Sequence, residues 1–98
     1  MLTHIVVWKY RADVGAETRA EHIARLRALV GVIPEIVSFN VGPDVLHLSR
    51  SYDTGLVATF QDRAGLDAYT NHPQHVEVAA LGRNISAHVA SVDFEDEA

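Results

Sequence analysis

The pattern of apolar residues predicts an α+β domain of the ferredoxin-like class, β-α-β-β-α-β, with an antiparallel four-stranded sheet and helices on one face. Three observations predict it. Strand-like segments of period two and helix-like segments of spacing three and four follow one another in that order over 98 residues. The second helical region is split at Pro73. The first strand is apolar on both faces, so helices on one side and a second copy of the chain on the other are expected to cover it, pairing two protomers sheet to sheet. The length fits a single domain, residues 1–98.

Leu2 to Tyr10 is the first strand, with Leu2, His4, Val6, Trp8 and Tyr10 on one face and Thr3, Ile5, Val7 and Lys9 on the other. Asp13-Val14-Gly15 breaks this alternation. Ala20, Ile23, Leu26, Val30 and Ile33 then recur at helical spacing while Arg19, Glu21, Arg25 and Arg27 fill the opposite face. His22 falls among the polar helix positions and is expected to be solvated. Pro34 ends the helix, because its ring clashes with a continuing turn and biases Ile33 toward extended backbone. Val37, Phe39 and Val41 alternate against Ser38 and Asn40 in a second strand, which Gly42-Pro43 stops.

Asp44 to Thr54 mixes polar and scattered apolar residues and reads as a long surface connection, or a lid, with His47 solvated in it. Leu56 to Phe60 is the third strand, and Asp62 is placed to N-cap a helix from Arg63 to Tyr69. At His72-Pro73 that helix must stop and a new one can start, since Pro disfavours helix in the residue before it yet suits a first helical position. The new helix carries His75, Val76, Val78, Ala79 and Leu81 to Gly82, and Ala87 to Phe94 is the fourth strand, with His88 at a hydrogen-bonded or edge position. Glu95-Asp96-Glu97 reads as a solvated, frayed tail.

Composition narrows the function classes. Thirteen acidic against eight basic residues give a formal charge of −5, which opposes binding to a phosphate backbone, so no nucleic acid is expected. No apolar run approaches the roughly 18 residues of a membrane span. The absence of cysteine, and a beginning without the basic and apolar regions of a signal peptide, lead us to expect a cytoplasmic protein. The glycines are isolated, without a phosphate-binding loop, and no nucleophile elbow occurs. No cofactor is expected, and any reaction must run on acid–base groups in an apolar pocket.

Tyr69-Thr70-Asn71-His72-Pro73-Gln74-His75-Val76 concentrates a phenol and two imidazoles around the forced helix break. His75 falls in the first turn, where free N–H groups and the positive end of the helix dipole disfavour its protonation. A neutral imidazole whose other nitrogen is held by a hydrogen bond is a competent general base. A purely structural reading of the segment, with Tyr69 at the helix–sheet interface and His72 closing a turn, stands beside that one. A metal site on His72, His75 and Glu77 is disfavoured because Pro73 keeps both imidazoles off one regular helical face. His4, on the strand face shared with Val6 and Trp8, can look across at the helices.

Thr3-His4-Ile5-Val6-Val7-Trp8-Lys9-Tyr10, Thr59-Phe60-Gln61-Asp62, the Tyr69…His72-Pro73-Gln74-His75-Val76 segment and Val92-Asp93-Phe94 together resemble the stress-responsive A/B barrel domain family over essentially the whole chain. The resemblance implies a ferredoxin-like protomer that pairs through its sheet into a dimeric barrel. The family includes a plant polyketide cyclase that makes olivetolic acid, plant stress proteins and many bacterial members without an assigned reaction. Similarity to the cyclase implies catalytic roles for His75 and Tyr69 and a substrate-binding role for His4, with Val6, Trp8, Leu56, Ala58 and Val89 as apolar walls. Trp8 and Thr54 depart from the cyclase, which carries an aliphatic residue and a second pocket histidine there.

The implied chemistry is cofactor-free proton transfer, as in a cyclase, lyase or isomerase, on a small apolar or carbonyl-containing molecule. His75 takes a proton from carbon and Tyr69 donates a hydrogen bond to the oxygen that gains charge. The alternatives are a non-catalytic ligand-binding or stress-protection dimer and a cofactor-independent monooxygenase.

Overall fold

In the computed structural model, which describes residues 1–96, the chain runs β1 (Leu2–Tyr10), α1 (Ala16–Ala28), a 3₁₀ turn (Leu29–Gly31), β2 (Ser38–Pro43), β3 (Thr54–Phe60), α2 (Arg63–Asn71), α3 (Pro73–Ile85) and β4 (Ser86–Glu95). The strands form one sheet in the order β2-β3-β1-β4, every neighbouring pair antiparallel. This is the ferredoxin-like arrangement expected from the periodicities. Glu95 pairs with Leu2 at the end of β4 instead of fraying, and Glu97 of the expected tail lies outside the described residues.

Register puts the alternation of β1 to use. Leu2, His4, Val6, Trp8 and Tyr10 lie beside Phe60, Ala58, Leu56 and Thr54 of β3, and this face packs under the helices as the core. Ile5 and Val7 share the opposite face with Val57, Val92 and Phe94, which are 40%, 53% and 45% exposed. The protomer therefore presents an apolar outer sheet face, as the two-sided first strand predicts. No helix among the described residues is long and apolar enough to cross a membrane.

Helix α1 departs from the expected stripe. Its buried positions are His22, Ile23 and Leu26, continued by Leu29 and Ile33, while Ala20 and Val30 are exposed. Packing chose the 22/26/29/33 row, so His22 is a wholly buried residue and not a solvated one. Residues 44–53 form an irregular connection closed by the Asp44 N–H donating to the Asp53 carbonyl at 2.8 Å. His47 there is exposed and takes positive φ (53°). His88 is exposed on the edge strand β4.

The helix break forms as the local rules require. The Asp62 carboxylate accepts from the Gly65 N–H at 2.9 Å and starts α2. His72 is extended (φ −62°, ψ 132°), ends α2 and caps α3, its Nδ1 accepting from the Gln74 N–H at 3.2 Å. Pro73 occupies the first helical position, where its missing N–H leaves nothing unsatisfied.

Candidate functional site

A cavity of ≈ 240 Å³ lies between the inner sheet face and helices α2 and α3. His4, Val6 and Trp8 from β1, Leu56 from β3, Val89 and Ser91 from β4 and Leu26 from α1 border it, facing Tyr69, Thr70, His75, Ala79 and Arg83. Of the residues singled out in the sequence, only Ala58 is absent from this lining. It pairs with His4 and is wholly buried in the core, so it supports the site without forming a wall. No residue of the 44–53 connection borders the cavity, so the connection does not act as its lid in this structure.

Three side chains of different elements meet here. The Tyr69 ring lies 4.2 Å from the His75 ring and 5.9 Å from the His4 ring, centroid to centroid, and 5.0 Å from Phe60. The His75 Nδ1 donates to the Thr70 carbonyl at 3.0 Å, across the helix break. That bond exists because residues around the Asn71–His72 junction leave the helix and free a carbonyl that α2 would otherwise use. It places the proton on Nδ1, so the Nε2 lone pair is the basic position of the neutral ring.

Electrostatics suit an imidazole that accepts and a phenol that donates. The His75 pKa is lowered from its ordinary value, chiefly by burial and further by the charges of His4, Arg83 and His72, against the raising effect of the Thr70 hydrogen bond. The dominant cause is thus desolvation by the sheet and helices, whereas the sequence pointed to the helix terminus. Burial pushes the Tyr69 pKa up to about 12, so the hydroxyl keeps its proton throughout the neutral range.

His4 is oriented by a residue that sequence reasoning did not single out for the site. Its Nδ1 donates to the Asp93 carboxylate, directly opposite it in the β1–β4 register. The pairing leaves Nε2 of His4 without a protein partner among the described residues, as the Thr70 bond does for His75. Alternation puts His4 and Asp93 on inward faces, but only the register brings residues 89 positions apart together. Arg83 and Ala79 were also missed. Their signal was present, since residues 75, 79 and 83 repeat every four positions along one face of α3.

A second polar cluster sits behind Trp8. The Tyr10 hydroxyl contacts His22 Nδ1 at 2.8 Å and donates to Thr54 Oγ1 at 2.9 Å. His22 Nε2 is buried without a hydrogen-bond partner, and the His22 pKa is lowered to about 4 by burial. Gly82 makes this packing possible, because a Cβ there would stand 2.9 Å from Trp8 Nε1 and 3.0 Å from His22 Nε2. Trp8 is thereby tucked against α1 and α3, leaving the cavity open beside it. Among the described residues no group of three or more His, Asp or Glu is arranged to hold a metal ion.

Known proteins resemble this one in sequence and in fold. A stress-response A/B barrel domain-containing protein of Arabidopsis thaliana is 30% identical over 95 residues, covering 93% of this chain and 82% of the relative. A dimeric ferredoxin-like protein from Thermobifida fusca superimposes with a TM-score of 0.89 at 26% identity, over 97% of this chain and 90% of that one. Further solved neighbours are dimeric as well, which supports self-association of this chain. The hydroxynitrile lyase of Passiflora edulis shares the fold, with a TM-score of 0.88 at 18% identity over 99% of this chain and 94% of that one. Residues 2–96 match the stress responsive A/B barrel domain throughout, and the chain belongs to that family.

Proposed function

We propose that this protein is a cofactor-free proton-transfer enzyme of the cyclase, lyase or isomerase kind, acting on a small carbonyl compound in the cavity between sheet and helices. The observation that carries this reading is the His75 Nδ1–Thr70 carbonyl hydrogen bond, which leaves Nε2 as a free base 4.2 Å ring to ring from a protonated phenol. A C–H bond flanked by carbonyls breaks, its proton goes to His75 Nε2, and its electron pair moves onto the carbonyl oxygen as an enolate. The Tyr69 O–H donates to that oxygen, and His4, held by Asp93, offers a second polar contact. The enolate carbon then attacks a second carbonyl, as in an aldol closure, or is reprotonated elsewhere, as in an isomerisation. Val6, Trp8, Leu26, Leu56 and Val89 exclude water from the reacting atoms.

At ≈ 240 Å³ the cavity lies below the roughly 300–1,000 Å³ of drug-sized sites, so a small substrate is favoured. The working unit is a homodimer joined through the apolar outer sheet face, on the opposite side of the sheet from the cavity. The test is deuterium exchange into a panel of small diketones. His75→Ala should slow exchange by roughly 10²–10⁴ with folding unchanged. Exchange at the buffer rate in the unaltered protein, or at an equal rate in the variant, ends the proposal. The apolar walls also favour a second reading, a ligand-binding dimer, which predicts an occupant that His75→Ala retains.

A further inference from the structure

We infer that the cavity selects a carbonyl compound that also carries a carboxylate, held by Arg83 two helical turns along α3 from the base. The inference rests on the proton-transfer reading for the carbonyl and on separate observations for the carboxylate. His75, Ala79 and Arg83 all border the cavity. At four-residue spacing they share one face of α3, each step advancing about 6 Å, so the backbone positions of His75 and Arg83 are about 12 Å apart. Ala79, between them, contributes a single methyl group and leaves the intervening space to a ligand.

The charge balance inside the cavity runs opposite to that of the chain. The protein has 13 acidic residues, yet no Asp or Glu lines this cavity, and Asp93, which touches the lining residue His4, is engaged by it. Arg11, Arg19, Arg27 and Arg63 are bound by Asp13, Asp53, the Val41 carbonyl and Asp67. Arg25, Arg50 and Arg83 have no carboxylate or carbonyl partner among the described residues, and of these three only Arg83 lines the cavity, among largely apolar neighbours. A planar guanidinium matches a carboxylate with two parallel hydrogen bonds, and apolar walls strengthen that contact. A substrate that bridges from Arg83 to His75 carries its acid group several bonds from the C–H that is deprotonated.

The two ends are also coupled. The Arg83 charge is one of the influences that keep His75 unprotonated. A bound carboxylate offsets that charge, so occupation of the Arg83 end should raise the His75 pKa and strengthen the base only when substrate is present. The competing role for Arg83 is to complement the C-terminal dipole of α3, which ends at Ile85. Lysine would serve that role equally, because it requires charge and not the fork.

The full-length protein is titrated by calorimetry with para-hydroxybenzoate and with its neutral amide, a pair of matched size that needs no turnover, while the His75 ring is followed by NMR. We expect the acid to bind about tenfold more tightly than the amide and to raise the His75 pKa. Arg83→Gln should abolish that preference and the pKa response while leaving amide affinity unchanged, and Arg83→Lys should recover only part of both. Equal affinity for acid and amide, no measurable binding of either, a preference that survives Arg83→Gln, or full recovery with lysine overturns the inference. Exchange assays separate this from the broader reading. An Arg83-dependent acid preference without His75-dependent exchange retains the carboxylate site and removes the enzyme, whereas exchange without acid preference does the reverse.

Discussion

The protein holds two histidine–tyrosine pairs under its helices, one sealed in the core and one bordering a cavity, and their contrast shows how neighbours decide what the same side chains can reach. In the sealed pair, the Tyr10 hydroxyl and His22 Nδ1 bond to each other at 2.8 Å, Thr54 takes the remaining hydroxyl bond, and Gly82 lets α3 close over the imidazole. In the open pair, Tyr69 and His75 touch by their rings, while His75 is anchored elsewhere, by the Thr70 carbonyl. Burial lowers the imidazole pKa in both places. The difference lies in which groups satisfy which. Each imidazole keeps one nitrogen unpartnered, but His22 Nε2 is sealed in the core whereas His75 borders the cavity, where a ligand could reach it.

The comparison breaks most visibly in kinetics. His75→Ala should lower proton-exchange rates by roughly 10²–10⁴, or about 3–5 kcal/mol of barrier, while His22→Ala should act on thermal stability. Stopped-flow exchange and thermal melts on both variants test this, and a reversed pattern would reverse the assignment. The pH profile sharpens it. Under the proposed proton-transfer reading, a lowered His75 pKa predicts that exchange persists below pH 6.5 before the acid limb falls, and the phenol, with a pKa of about 12, leaves the basic limb flat through the neutral range.

The sealed pair should show itself in acid unfolding. Because the folded-state pKa of His22 is about 4 against 6.5 for an ordinary imidazole, the unfolded chain binds the proton first. Stability from neutral His22 is complete above pH 6.5 and is lost as pH falls toward 4, amounting to about 3 kcal/mol. Urea unfolding across that window, compared with His22→Gln to subtract the carboxylates, should reveal the difference. Identical slopes would remove His22 from the account.

Smaller effects follow from its neighbours. Thr54→Val deprives the Tyr10 hydroxyl of its buried acceptor and should lower unfolding free energy by about 1–2 kcal/mol without changing exchange rates. Gly82→Ala gains about 1 kcal/mol of helix propensity but drives a methyl group into Trp8 and His22, an overpacking of about 1–3 kcal/mol. A net loss near 1 kcal/mol in the same unfolding assay is expected, and stabilisation would mean that the indole has room to retreat.

The legible features were those written in short spacings. Alternation marked Leu2–Tyr10 to the residue, Asp62 and Pro73 marked where helices begin, and the Tyr69–His75 segment drew attention to the break that now borders the cavity. His22 was misread because a polar residue on an amphipathic helix is ordinarily solvated, and its burial depends on Tyr10 from another element. Asp93 went unnoticed as a partner of His4 because strand register is set by the sheet as a whole. Ala58 was taken for a wall because its strand face was right while its depth was not.

Element order, the starts of α2 and α3 and the attention drawn to His4, Tyr69 and His75 came from local rules of backbone sterics, periodicity and capping, whereas α1 ended at Ala28 in a 3₁₀ turn ahead of Pro34 and α3 ran past Gly82 to Ile85. The depth of each imidazole, its pKa and its partner nitrogen came from folding, because desolvation and hydrogen bonding at these sites are imposed by residues distant in the chain. Two histidines of the same intrinsic basicity were therefore sorted into a sealed core and an open cavity by their neighbours in space.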